Sequence, residues 1–86
     1  FNDGTYTGNI DNINKTSFVW VNFAVVTGSL PKITGYGIIC TFKASSTVQV
    51  AFNFHGNTST PYIYYRINAN GKWYKWASFT GTMLDA

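Results

Sequence analysis

The chain has 86 residues, of which 19% are aromatic and only 10% charged, with a net charge of +3. That length allows a single domain spanning 1–86, and a body so small buries only roughly 60–65% of its unfolded surface. The bases Lys15, Lys32, Lys43, Arg66, Lys72 and Lys75 are scattered, with none of the stripe that nucleic acid requires. No apolar run approaches the roughly 20 residues of a membrane-spanning helix, so neither nucleic acid nor membrane insertion is expected. Cys40 stands alone, which excludes an internal disulfide. With no secretory signal visible, the chain is expected to fold in a reducing cytoplasm. It starts at Phe1 rather than at Met, as a piece of a longer protein does.

From Phe1 to Asn14 the chain is polar and turn-rich, a loop or a short edge strand around Thr5–Thr7. Ser17 to Thr27 is the first strong strand signal. Val19, Val21, Phe23 and Val25 fall on one side and Phe18, Trp20, Ala24 and Val26 on the other, broken only by Asn22, so both faces are largely apolar and the strand must lie between two layers, or between a layer and another subunit. A turn at Gly28-Ser29-Leu30-Pro31 leads to a strand over Tyr36–Phe42. Thr47 to His55 alternates, with Val48, Val50, Phe52 and Phe54 expected inward and Thr47, Gln49, Ala51, Asn53 and His55 outward.

Pro61 to Trp76 reads as a hairpin of two aromatic strands. Asn70-Gly71 is its turn, because both residues accept the positive φ of a primed turn. Ile63, Tyr65 and Ile67 are expected to face the core and Tyr62, Tyr64 and Arg66 to face out. Ser78 to Leu84 is a candidate last strand. Nothing in this pattern has helical periodicity. The expected fold is all-β, an antiparallel sandwich or partly open barrel of five to six strands.

Residues suited to catalysis are sparse. The acids Asp3, Asp11 and Asp85 lie towards the ends, and no paired-carboxylate site is expected of them. Cys40 shares its face with Tyr36, Ile38 and Phe42, which describes a buried, inert thiol. One Cys and one His make no metal site within a chain, although three copies of His55 about an axis could hold an ion. No enzyme, cofactor or metal is expected.

The rings point to recognition instead. A flat aromatic side chain covers the C–H face of a sugar while amides and hydroxyls bond its hydroxyl groups. The ligand-binding candidates are Trp20, Tyr62, Tyr64, Trp73 and Tyr74, with Asn53, His55 and Asn57 in the adjoining strand and loop. Arg66 is assigned a structural part, stacked on Trp73 or Trp76 across the hairpin, and Gly71 one in the turn.

The order Gly4-Thr5-Tyr6, Gly35-Tyr36-Gly37-Ile38-Ile39, Val48-Gln49-Val50-Ala51, Tyr64-Tyr65-Arg66, Asn70-Gly71-Lys72-Trp73 and Trp76 resembles the knob-type domains of bacteriophage tail fibres and R-type pyocin fibres, over roughly residues 4–77. Tyr74 departs from the pattern, standing where such domains often carry Ser or Thr. The resemblance implies a homotrimeric β-sandwich at the outer end of a virion tail fibre. It implies a receptor-binding domain that attaches the particle to polysaccharide or protein on the bacterial surface. The alternatives are a carbohydrate-binding module of a bacterial enzyme or adhesin, and a purely structural fibre knob.

Overall fold

The computed structural model describes residues 2–53 and 62–80. Its framework is one antiparallel sheet of six strands: β1 (Ser17–Asn22), β2 (Tyr36–Lys43), β3 (Thr47–Asn53), β4 (Tyr62–Ala69), β5 (Lys72–Trp73) and β6 (Ala77–Thr80). Strands β1 to β4 lie side by side in chain order, and β5 and β6 both pair with β4. The expected five to six antiparallel strands are present. Among the described residues the sheet is open, and its second layer is irregular chain rather than a second sheet.

That layer comes from the N-terminal segment and the stretch between β1 and β2. The segment runs along the β1 edge: Tyr6 N–H donates to the Trp20 carbonyl and Trp20 N–H to that of Gly4, each at 2.9 Å. Thr5 therefore makes a single parallel bridge to Trp20, in place of the short strand considered for Thr5–Thr7. A 3-10 turn, Ile10–Asn12, follows; Asn9 caps it by accepting Asp11 N–H at 2.8 Å. Ile10, Ile13, Val26 and Ile33 then pack onto Val19, Val21, Ile39, Ala51 and Tyr64 of the sheet.

Strand β1 stops at Asn22, short of the expected Thr27. Asn22 is the reason: its side-chain oxygen accepts Ala24 N–H and its carbonyl accepts those of Val25 and Val26. The turn shifts the alternation, so Val26 is buried and Val25 is exposed.

The faces of β3 and β4 are the reverse of those expected. Thr47, Gln49 and Ala51 are buried, while Val48, Val50 and Phe52 are half-buried on the other side. Likewise Tyr64 and Arg66 are buried, and Ile63 and Tyr65 are exposed. Alternation tells which residues share a face, but not which face is covered. Here the covering segment offers backbone carbonyls and a carboxylate, and the polar residues of the sheet turn towards them.

Among the described residues the other face is apolar over its middle, with Asn22 and Lys72 at its ends. Phe18 and Trp20 of β1, Ile38, Cys40 and Phe42 of β2, Val48, Val50 and Phe52 of β3, and Ile63 and Tyr65 of β4 lie on it, with Phe79 of β6 opposite Ile63. Cys40 is half-buried rather than buried. Desolvation pushes its thiol above the ordinary range, which keeps it protonated and unreactive at neutral pH.

Candidate functional site

The inner face is organised around Arg66, which is only 1% exposed. Its Nε and Nη2 both donate to Gln49 Oε1, at 2.9 and 2.7 Å, and Nη2 also meets Asp11 Oδ1 at 2.8 Å. Gln49 is held in turn, its Nε2 donating to the Ile10 carbonyl at 3.0 Å and to Thr41 Oγ1 at 3.2 Å. The guanidinium carbon lies 3.9 Å from the ring centroid of Trp73 and 4.5 Å from that of Trp76. Burial pushes the pKa of Arg66 down, and the hydrogen bond and charge of Asp11 push it back up. Nη1 is buried without a hydrogen-bond partner, so the electron-rich indole faces help to compensate a charge that is not fully bonded.

A β-bulge allows both tryptophans to reach Arg66. In a regular strand, residues three apart face opposite ways. Asn68 pairs with Trp73 and Tyr65 with Ala77, so three steps along β4 match four along the neighbouring chain. The extra residue falls between Trp73 and Trp76, where Tyr74 N–H donates to the Ile67 carbonyl at 2.9 Å. Both indoles thus come to the inner side. Trp73 Nε1 donates to the Asp11 carbonyl at 3.0 Å and Trp76 Nε1 to the Ser29 carbonyl at 2.7 Å. The Asp11 carboxylate also accepts Ser29 N–H, at 3.1 and 3.2 Å, so the loop before β2 is tied to the same cluster.

Between this loop and the hairpin runs a groove of about 490 Å³, lined by Ser29, Leu30, Pro31, Lys32, Tyr64, Trp73, Tyr74, Lys75, Trp76 and Ser78. Its walls combine ring faces, serine hydroxyls and two lysines. Tyr64 is fixed by its hydroxyl, which donates to the Lys32 carbonyl at 3.0 Å. Tyr74 is 51% exposed and has the Lys72 ammonium 5.8 Å from its ring centroid. A second hollow of about 360 Å³, beside Tyr6 and Lys15, has one ring only and offers a sugar no comparable platform.

Of the candidates read from the sequence, Tyr64, Trp73 and Tyr74 meet in this groove. Trp20 stands on the opposite face of the sheet, and Asn53, at the end of β3 opposite Gly37, is not part of the lining. Tyr62 begins β4, but its side chain, like His55 and Asn57, lies outside the described residues. Trp76 also lines the groove, Arg66 stacks against its indole, and Gly71 closes the hairpin at φ 76° beside Asn70 at φ 56°. Ser29, Lys32 and Lys75 carried no signal of their own, because a turn between strands does not reveal which strand it folds over. Comparison with family models, curated proteins and solved structures finds no match to this chain.

Proposed function

We propose that the chain is a non-enzymatic attachment domain that holds a carbohydrate in the groove between the loop at residues 29–32 and the hairpin, against Trp73, Tyr74 and Trp76. It acts as the receptor-binding knob of a bacteriophage tail fibre, is carried on the virion as a homotrimer, and is addressed to polysaccharide on the bacterial surface. The observation that carries the recognition part is the composition of the groove: Tyr64, Trp73, Tyr74 and Trp76 supply ring faces, while Ser29, Ser78, Lys32 and Lys75 supply polar groups. Rings cover the apolar face of a pyranose, and the hydroxyls and ammoniums bond its oxygens. The cluster around Arg66 keeps the platform rigid before any ligand arrives, so little ordering entropy is lost on binding. The fibre part is supported by the motif order from Gly4-Thr5-Tyr6 to Trp76.

Tyr74 gives the cleanest test, because it lines the groove but remains half exposed. Removing roughly 60 Å² of apolar contact costs about 1.5 kcal/mol, or about tenfold in affinity. Tyr74→Ala is expected to weaken binding of host polysaccharide by about tenfold with an unchanged melting temperature, measured by calorimetric titration. Full affinity in the variant contradicts the assignment of the groove.

A further inference from the structure

We infer that the outer face of the sheet is the seam where copies of this chain meet. Trp20, Tyr36, Phe42, Ile63, Tyr65 and Phe79 stay 43%, 52%, 46%, 41%, 37% and 57% exposed on one continuous face. At roughly 150–250 Å² per ring these side chains alone present on the order of 500 Å². A monomer's largest patch is about 300–600 Å², and a stable interface takes about 800 Å² from each partner. The half-buried Phe18, Ile38, Val48, Val50 and Phe52 between them extend the surface towards that second figure.

The chemistry of the face selects its occupant. None of the residues just named is charged, and among the described strand residues Lys72, opposite Ala69 at the hairpin end, is the one charge whose register puts it on this side. The middle of the face therefore has nothing to offer a charged partner, and its best complement is another uncharged, ring-rich sheet. A second copy of this chain presents that surface. In a homotrimer three such faces turn towards one axis and each is covered by the two neighbouring copies, so the missing layer is supplied by the assembly.

The geometry has a consequence for binding. Tyr64, Trp73 and Trp76 line the groove from the inner side of the sheet, while the seam lies on the outer side. Association therefore leaves every groove accessible, and weak sugar sites gain avidity by being held together on one particle. That consequence rests on the proposed carbohydrate reading; the seam itself does not.

Sedimentation velocity of the 86-residue chain at about 50 μM decides the matter. The expected result is one defined oligomer, reduced to a monomer with an unchanged far-ultraviolet spectrum by Trp20→Lys and, separately, by Phe42→Lys. A monomeric wild type overturns the inference, as do a smear of undefined aggregates and variants that keep the full mass. If one variant fails to fold, the other still decides, because the two alter different strands. Retention on polysaccharide-coated beads should fall at least tenfold on dissociation. A wild-type oligomer that is not retained at all counts against the groove reading and leaves the seam intact.

Discussion

Arg66 ties together segments that lie far apart along the chain. Its guanidinium joins Gln49 of β3, Asp11 of the 3-10 turn and the indoles after β4. A lysine keeps the charge but loses the planar fork and the stacked face, and it leaves Gln49 Oε1 with less to accept. Arg66→Lys is therefore expected to lower stability by about 2–4 kcal/mol, read as a shift in the urea midpoint at unchanged slope. A loss below about 0.5 kcal/mol would show that the cluster is an ornament of the fold rather than its centre. The stacking of Arg66 was legible in the sequence from its place across a hairpin from two tryptophans. Its burial was not, because Asp11 lies far away along the chain, and nothing local shows that a carboxylate will come to rest over β4.

Among the elements, the hairpin and the β2–β3 pair show two uses of glycine. Gly71 has φ 76° and open space where a Cβ would stand, so its role is conformational. Gly37 sits under the crossing of Phe23, and a Cβ there would collide with the Phe52 carbonyl and lie 2.7 Å from the Phe23 ring. Gly71→Ala is expected to cost about 1 kcal/mol through strain alone. Gly37→Ala is expected to cost more, about 2–3 kcal/mol, because β2 and β3 must move apart. Thermal denaturation of the pair checks the order, and equal losses would mean that the β2–β3 contact is not as close as described. Strand existence was readable for β2, β3 and the hairpin, where period-two alternation is strong. The end of β1 was not, since it depends on Asn22 bonding its own following amides, and the bulge was hidden because Trp73 and Trp76 at a spacing of three look like residues on opposite faces.

For the molecule as a whole, the sheet divides two tasks between its faces. The inner face, stapled by Arg66, carries the groove, and the outer face carries the apolar surface proposed as the seam. The sequence showed that β1 is apolar on both sides and so needs two layers, and the resemblance supplied the expectation of a trimer. Which residues of β3 and β4 turn inward could not be read, because Gln49 and Arg66 are buried only by virtue of the segment that folds over them. The three tryptophans report the two tasks separately: Trp73 and Trp76 stand at the groove and Trp20 on the outer face. The most direct measurement is a ¹⁵N–¹H correlation spectrum of the three indole groups, recorded on dilution and on addition of host polysaccharide. Dilution is predicted to move the Trp20 signal alone, and the sugar to move the Trp73 and Trp76 signals alone. A Trp20 signal indifferent to concentration, or one that answers the sugar in place of Trp73 and Trp76, would contradict the account.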